Sequence, residues 1–323
     1  MDTGIPTLAE RLADADATVR RLAVIDLPYS DEDDIVPLLL PRLADTDAQV
    51  RTEAIRALEG FEEPEVVRAL AAMLLDPNAD VRKAAGEVLS ELKEAASAAP
   101  LLPMLQGGPA EVRALAFHAV RALRSPAAFA PAMQSLRDPD AAVRREAVGV
   151  LGYLKDPAAI GELAEVAAND PDVEVRRIAI GALGYASSVS VLPALTRALA
   201  DSGWMVRDEA AQTIGKLRLS LAIPELVHAM QDDYWQVRVK AARSLGLLKA
   251  EAGLPSLVAS LTHTISNLRK EAVIALGEIG DTRAIAPLEA ALADPDPDVR
   301  KLARLALTSI GLAQKARVEG GQS

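Results

Sequence analysis

Side chains that could do chemistry are scarce in this sequence of 323 residues. The three histidines are His118, His228 and His263, and each is followed by Ala or Thr rather than by an acidic residue. The His-Glu pairs with which helical di-iron hydroxylases bind metal are therefore absent. Because the chain has no cysteine, disulfides, thiolate metal ligands and thiol nucleophiles are excluded as well. We expect no bound metal and no cofactor.

The short motifs that bind nucleotides or activate a serine are also missing. The chain has neither a G-x-x-x-x-G-K-[ST] phosphate loop nor a G-x-S-x-G nucleophile elbow. Carboxylates are abundant, with 46 Asp and Glu against 35 Lys and Arg, which gives a formal net charge of −11. On an acidic surface most such side chains are solvated, and no two of them stand out as an acid and a base. The sequence favours a protein that is not an enzyme.

A repeated pattern organises the chain. A Val-Arg pair, with Leu for Val in the ninth unit, recurs every 31 residues, apart from one spacing of 32, and Ala follows three residues after each Arg. Five residues before the Val stands an Asp in eight of the ten units, whereas Gly107 and His263 occupy the other two positions. Self-similarity at such a period is the signature of a solenoid. The ten arginines are Arg20, Arg51, Arg82, Arg113, Arg144, Arg176, Arg207, Arg238, Arg269 and Arg300.

Each repeat is predicted to form two helices joined by a turn rich in Asp and Pro. Apolar residues follow helical spacing in both, and in the second helix they fall at offsets 0, +4 and +8 from the Val. Glycines near the end of the second helix in repeats five to nine either permit close helix crossing or help to end the helix. Because one hairpin cannot bury its own apolar stripe, the repeats must stack. We predict one solenoid over residues 1–313 with a flexible point at 107–108, followed by a polar tail over 314–323.

The repeats resemble HEAT repeats of the phycobilisome-lyase-like type. The shared motif is L-x-D-x-D-x-x-V-R-x-x-A-x-x-x-L-G, present here as LADPDPDVRKLARLAL in the last repeat and LRDPDAAVRREAVGVLG in the fifth. The resemblance implies an all-α, armadillo-like superhelix of about ten two-helix repeats. It implies little about function, because such repeats serve many unrelated purposes.

The most regular charged residues are interpreted as structural. Ten copies of one active site are implausible, so we expect each Asp to cap the second helix and to pair with an Arg of its own repeat or of a neighbouring one. In the central repeats this predicted ladder consists of Asp138, Arg144, Asp170, Arg176, Asp201, Arg207, Asp232 and Arg238.

Function is expected where the repeats differ. In a solenoid of this type the second helices line the concave face, and their accessible positions hold five of the six Trp and Tyr residues. Gly149 and Gly181 are predicted to leave room on the floor of a concave groove, with aromatic side chains as its walls. The candidate groove residues are Tyr153, Tyr185, Trp204, Met205, Trp235, Arg145, Arg177, Asp208, Glu209, Gln212, Lys240, Arg243 and His118.

Structural alternatives stay open for several of these residues. Trp204 and Trp235 could pack between neighbouring repeats instead of contacting a partner. His118 could be a solvated or locally hydrogen-bonded side chain, and His263 could be a variant helix cap.

The charges at the predicted concave positions indicate which class of partner the protein could bind. The predicted concave positions carry ten basic and twelve acidic residues, whereas a nucleic-acid groove requires a basic stripe. We therefore expect no nucleic acid and no membrane as partner, and a cytoplasmic protein scaffold that binds a protein or peptide. The alternative is a lyase-like or chaperone-like factor for attaching a chromophore, in which Arg145 and Arg177 would meet propionates or phosphates.

Overall fold

The computed structural model describes residues 7–186 and 189–320, and all regular structure in these ranges is helical. The chain divides into two compact units, Met1–Leu154 and Lys155–Ser323. The fold class is the predicted α-solenoid, in which two-helix repeats follow one another along the chain.

In the first unit the second helices of the repeats are α2, α4, α6, α7 and α9, and each packs against the next. The first helix of the fourth repeat is replaced by two short 3₁₀ helices, because Pro100 and Pro103 lack the N–H groups that a longer helix needs. The α-helices are α1 (Leu8–Leu12), α2 (Ala17–Asp26), α3 (Val36–Leu39), α4 (Ala48–Ala57), α5 (Pro64–Met73), α6 (Ala79–Ser90), α7 (Ala110–Arg121), α8 (Phe129–Ser135) and α9 (Ala141–Leu154), and the 3₁₀ helices are Leu27–Tyr29, Leu40–Ala44, Ala95–Ala98, Leu102–Leu105 and Pro126–Ala128.

In the second unit the second helices are α11, α13, α15, α17 and α19, which again pack in sequence. Helix α19 continues to Gly320, into the predicted tail, and residues 321–323 lie outside the described part. The α-helices are α10 (Ile160–Asn169), α11 (Val173–Ala182), α12 (Leu192–Ala198), α13 (Trp204–Lys216), α14 (Ile223–Ala229), α15 (Trp235–Leu247), α16 (Leu254–Ser260), α17 (Ser266–Ile279), α18 (Ile285–Ala290) and α19 (Pro297–Gly320), and the 3₁₀ helices are Pro157–Ala159, Leu183–Tyr185, Val189–Val191, Ser220–Ala222, Glu251–Gly253, Thr282–Ala284 and Ala291–Ala293.

The core follows the predicted offsets. Val206, Ala210 and Ile214 of α13, at offsets 0, +4 and +8, are completely buried. The Ala at offset +4 is completely buried in all ten repeats, because a small side chain there lets the two helices of a repeat approach closely. Each second helix therefore presents one apolar stripe to its own first helix and to its neighbours.

Glycines late in the second helices of the second unit permit close helix crossing. A Cβ atom added to Gly215 would lie 2.9 Å from Cα of Ser244 on the next second helix. Gly246 faces Cα of Ala275 in the same way, at 2.8 Å. Of the two roles that the sequence leaves open for these glycines, close packing is the one that this geometry supports.

Arginine side chains link most of the second helices to the following repeat. Arg207 donates from Nε and Nη2 to the carboxylate of Asp232 at 2.6 and 2.8 Å, and from Nη1 to the backbone oxygen of Asp201 at 2.8 Å. It thus bonds the backbone of its own repeat and the side chain of the next. The same pairing joins Arg20 to Asp45, Arg51 to Asp76, Arg113 to Asp138, Arg176 to Asp201 and Arg269 to Asp294.

The ladder is not uniform. Arg82, opposite Gly107, pairs instead with Glu111 at 2.8 Å. Arg144 donates from Nη1 to the backbone oxygen of Asp138 at 2.9 Å, as its equivalents do. We call each pairing of a ladder Arg with the ladder position of the following repeat a rung. In the rung of Arg238 that position is His263 instead of Asp, so the rung has no carboxylate there.

The expected capping role of the ladder Asp is wrong. Asp172, two residues after Asp170, is the residue that caps α11, since its Oδ1 accepts the N–H groups of Glu174 and Val175 at 2.9 and 3.0 Å. Asp170 forms the preceding turn by accepting the N–H of Asp172 at 2.9 Å. A carboxylate held by an arginine of the previous repeat cannot also reach the first turn of its own helix.

Candidate functional site

Candidate residues of the first unit surround one buried carboxylate. Glu146 in α9 accepts hydrogen bonds from His118 at 3.2 Å, from Arg121 at 3.2 Å and from Arg145 at 3.4 Å. Burial by itself would raise the pKa of Glu146, but the bond from His118 and the nearby arginine charges outweigh it and lower that pKa. His118 is therefore locally hydrogen-bonded, and these charges largely neutralise one another.

Tyr153 at the end of α9 is held between two arginines. The guanidinium carbons of Arg121 and Arg124 lie 5.7 and 5.9 Å from the centre of its ring, and the side chain is 44% exposed. The Arg121 side chain also covers Gly149, where an added Cβ would lie 3.0 Å from its Cδ. The open floor predicted at Gly149 is therefore filled by an arginine.

In the second unit, side chains of α11 and α13 fill the equivalent space. Glu209 covers Gly181, with its Oε1 3.1 Å from an added Cβ, and it accepts from Arg177 at 3.4 Å. Arg177 also binds Glu174 at 2.6 Å. Tyr185 donates its hydroxyl to the backbone oxygen of Asp156 at 2.8 Å, and burial raises its pKa. Glu209, held by Arg177, therefore fills the predicted floor at Gly181.

The aromatic residues at the start of α13 pack between repeats. Trp204 stacks on Tyr234, with 5.5 Å between the ring centres, and Arg207 lies 5.6 Å from the centre of the Tyr234 ring. Trp235 and Met205 are half-buried. For Trp204, inter-repeat packing is the alternative that this geometry supports.

An open pocket of about 450 Å³ lies on the solvent side of α13, α15 and α17. Three of the candidate residues line it, namely Gln212, Lys240 and Arg243. We name it the α13–α15–α17 pocket, and its other lining residues are Lys216, Val239, Ser244, Leu247 and Glu271.

The charges of the α13–α15–α17 pocket are only partly compensated. Lys240 donates to the neutral Oε1 of Gln212 at 2.5 Å, and Lys216 has no hydrogen bond or ion pair with any described residue. Arg243 lies 4.0 Å from Glu271 and 3.5 Å from Glu278. Three cations against one carboxylate make the lining electropositive, in contrast to the acidic chain as a whole.

Two carboxylates near this pocket each have one buried oxygen without a hydrogen-bond donor. Oε2 of Glu271 and Oε2 of Glu278 are out of contact with solvent and accept no hydrogen bond from the described residues. Burial raises the pKa of Glu271, the charge of Glu278 raises it further, and Arg243 offsets part of the effect. Burial likewise raises the pKa of Asp208, against the attraction of Lys240. The pocket therefore combines weakly compensated cations with one carboxylate, that of Glu271, which accepts no hydrogen bond from the described residues.

A pocket at the corresponding helix positions in the first unit differs in charge. It measures about 340 Å³, and its cations are paired within it: Arg21 and Arg56 with Glu53, at 3.3 and 3.6 Å, and Lys83 with Glu87 at 3.8 Å. Its charges are therefore balanced internally, so the α13–α15–α17 pocket is the stronger candidate for a site.

Sequence reasoning missed part of this site. Lys216 and Glu271 line the pocket but are not among the candidate groove residues, because aromatic side chains guide that selection. The signal that could have found them is the excess of Lys and Arg at offsets +3, +6 and +10 in repeats seven and eight.

Two negative findings apply to the described residues. Within 7–186 and 189–320, no three His, Asp or Glu side chains form a group that could hold a metal ion. Over the same ranges, no helix combines the length and the apolar content that crossing a bilayer requires.

Comparison with known protein families gives one clear match. The family described as HEAT repeats matches residues 5–90, 98–172, 160–238 and 223–308, which together make up most of the chain. The match does not distinguish the phycobilisome-lyase-like type from other HEAT repeats. Comparison with curated protein sequences gives no match.

Solved structures share the fold at low sequence identity. YibA of Escherichia coli is 20% identical over 92% of this chain and 98% of its own, with a TM-score of 0.55. Yeast importin-β (Kap95p) is 13% identical with a TM-score of 0.65, and the match covers 94% of this chain and 50% of importin-β. An engineered protein is 21% identical over 94% of this chain and 98% of its own, with a TM-score of 0.51. At these identities the likeness concerns the fold alone.

Proposed function

Because the chain belongs to the HEAT-repeat family, we propose that it is a non-catalytic scaffold that binds a protein partner through the α13–α15–α17 pocket. The pocket lies on the second-helix side, which is expected to be concave. The observation that carries the proposal is the electropositive lining of an open pocket on an acidic protein.

The lining fits a peptide segment that carries an acidic side chain. A carboxylate placed between Lys216 and Lys240 would gain two charge-assisted hydrogen bonds where the protein supplies no acidic partner to Lys216. Val239 and Leu247 are half-buried and supply apolar surface beside these cations. Such a mixture of apolar and polar groups is typical of protein interfaces.

A polypeptide also supplies the missing donors. Glu271 lines the pocket, and its carboxylate accepts no hydrogen bond from the described residues; Oε2 is buried, so Oε1 is the accessible oxygen. A backbone N–H or an amide side chain of the partner would donate to the accessible Oε1 of Glu271. A ligand with only acidic groups would supply no such donor.

A relative in fold offers a precedent. Kap95p, with a TM-score of 0.64 to this chain in its complex with Nup1, is a solenoid that binds other proteins, among them RanGDP. We transfer only the general role, a helical surface that holds a protein segment.

The test uses site-specific photocrosslinking. A photoreactive phenylalanine at Val239 should crosslink one partner in cells, and Lys216→Gln/Lys240→Gln should lower the yield of that adduct at least tenfold. The matched control is Arg56→Gln/Lys83→Gln in the first unit's pocket, which should leave the yield unchanged. Equal adduct yields for both double variants would overturn the proposal.

The same preparation tests the alternative function. Chromophore attachment would be indicated by a coloured ligand that co-purifies with the protein and is lost in the Lys216→Gln/Lys240→Gln variant. That result, together with the absence of a protein adduct, would show that the pocket binds a small ligand and not a protein.

A further inference from the structure

The intact rungs of the ladder define how a carboxylate is held between consecutive repeats. In each rung of the second unit with its Asp, the arginine donates from Nε and Nη2 to both carboxylate oxygens and from Nη1 to the turn of its own repeat. For Arg269 the distances to Asp294 are 2.8 and 2.9 Å, and the distance to the backbone oxygen of His263 is 2.8 Å. Two parallel N–H···O bonds of this kind are the strongest contacts that arginine makes with an oxyanion.

One rung in the second unit lacks its anion. Arg238 occupies the ladder position of α15, but the next repeat has His263 where the Asp would be. The Arg238 side chain has no hydrogen bond or ion pair with any residue of the described part, and its Nε is out of contact with solvent. The positive charge of Arg238 contributes to the lowered pKa of Asp232, but that carboxylate is held by Arg207 at 2.6 Å. Nη1 and Nη2 are not buried and donate to no described residue, so an anion from solvent can reach these two nitrogens.

His263 cannot replace the missing carboxylate. Its Nδ1 accepts the N–H of Ile265 at 3.0 Å, which repeats the bond that Asp232 accepts from Tyr234 at 2.9 Å. With Nδ1 used as an acceptor, the proton of the neutral ring is on Nε2. Burial, with the positive charges of Arg238 and Arg269, lowers the pKa of His263 and keeps the ring neutral near pH 7. The imidazole therefore accepts the same backbone hydrogen bond as a ladder Asp and so forms the same turn, but it carries no negative charge.

We propose that the Arg238–His263 rung is a binding site for an oxyanion of the carboxylate or phosphate class, which completes the ladder from outside. The anion lies beside the His263 ring and receives N–H groups from Nη1 and Nη2 of Arg238, which, unlike Nε, are not buried. Its binding joins α15 to the turn before α17, as Arg207 and Asp232 join α13 to the turn before α15. The site is separate from the α13–α15–α17 pocket, so the two proposals succeed or fail independently.

The site is tested with sodium acetate and sodium phosphate, each compared with sodium chloride at equal ionic strength and pH 7.5. In the natural protein we expect at least threefold slower amide exchange over residues 262–269 with the oxyanions, and a thermal midpoint about 2 °C higher at saturation. A response to both oxyanions, or to acetate alone, supports the proposal, and acetate alone narrows the class to carboxylates.

Variants separate this site from general salt effects. His263→Asp supplies the carboxylate within the chain, so it should unfold at a higher temperature in chloride and lose the response to oxyanions. Thr264→Asp places the same charge one residue further along and should keep the response. Arg238→Gln should abolish it without raising the midpoint. The proposal is overturned if His263→Asp responds like the natural protein, or if chloride has the same effect as the oxyanions.

Discussion

The ring of Trp204 lies parallel to the ring of Tyr234, with 5.5 Å between their centres and 12° between their planes. Trp204 is the first residue of α13, and Tyr234 directly precedes α15, so the stack joins the starts of two consecutive second helices. Arg207 lies against the Tyr234 ring while it binds Asp232. The aromatic stack and the ladder rung therefore support the same junction.

Loss of this stack should destabilise the second unit. We expect Trp204→Ala to lower the free energy of unfolding by about 2 kcal/mol, because it removes a half-buried aromatic side chain and its stacking contact with Tyr234. Tyr29→Ala is the control, since that side chain is 88% exposed and should change stability by less than about 0.5 kcal/mol. Chemical denaturation measures both, and equal effects would contradict a packing role for Trp204.

Substitution by Ala is expected to change stability in opposite directions at two glycines, because a second helix crosses closely at Gly215 and none does at Gly161. Gly215→Ala should cost about 2 kcal/mol, because the new Cβ would overlap Ser244, whose Oγ binds the backbone oxygen of Ala211 at 2.7 Å. Gly161→Ala in α10 should instead stabilise by up to about 1 kcal/mol, since an added Cβ has nothing within 4 Å and Ala favours helix. Thermal unfolding of both variants checks the signs, and stabilisation by Gly215→Ala would disprove the close contact.

Left-handed backbone after the second helices predicts a stabilising substitution. Lys249 has a φ of 50°, whereas the corresponding residue of the next repeat is Gly280, with a φ of 72°. Because a left-handed residue with a side chain costs about 1–2 kcal/mol, Lys249→Gly should stabilise by about 1 kcal/mol. Gly280→Ala, with nothing within 4 Å of its new Cβ, should destabilise by a similar amount. A lower midpoint for Lys249→Gly would show that the side chain contributes more than the strain costs.

The ladder predicts acid sensitivity. Burial alone would raise the pKa of Asp232, but the hydrogen bonds from Arg207 and from the Tyr234 N–H outweigh it and lower that pKa. The pKa of Asp201 is lowered in the same way by Arg176. A carboxyl with a lowered folded pKa stabilises fully above its unfolded pKa of about 3.9 and loses this contribution as the pH falls through the folded pKa. The unfolding midpoint should therefore fall steeply below about pH 4.

Removal of one ladder arginine should reduce that steepness. Arg207→Ala should cost about 3 kcal/mol at pH 7, because it leaves the carboxylate of Asp232 without its partner, and less at pH 3, where that carboxyl is protonated more readily. Arg197→Ala is the control, since Arg197 contacts only the neutral Oδ1 of Asn169, at 3.4 Å, among the described residues. Unfolding midpoints measured from pH 7 to pH 2.5 test this, and a cost independent of pH would argue against the ion pair.

The repeat and its core were predictable from the residues alone. The Ala three residues after each Arg is buried in all ten repeats, because helical periodicity places offsets 0, +4 and +8 on one side of any helix. The repeat motif resembles HEAT repeats, and the family match over most of the chain confirms that resemblance. These properties are local, since one repeat contains everything that determines them.

The candidate site was predicted only in part. Gln212, Lys240 and Arg243 line a pocket, whereas Trp204 packs on Tyr234, and Arg121 and Glu209 fill the expected floor at Gly149 and Gly181. Whether an accessible position is free depends on the length and direction of side chains from the next repeat. Those contacts cross between helices and are not encoded in the periodicity of either one.

The amino-acid sequence by itself therefore determined the number of repeats, their buried faces and the presence of paired Asp and Arg residues. Only the tertiary structure decided that most of the ladder arginines reach the carboxylate of the following repeat, as Arg207 reaches Asp232, and that the Arg238 side chain bonds to no described residue instead. The physical reason is that helical spacing acts within a segment, whereas a hydrogen bond between repeats depends on how one hairpin is rotated and set against the next.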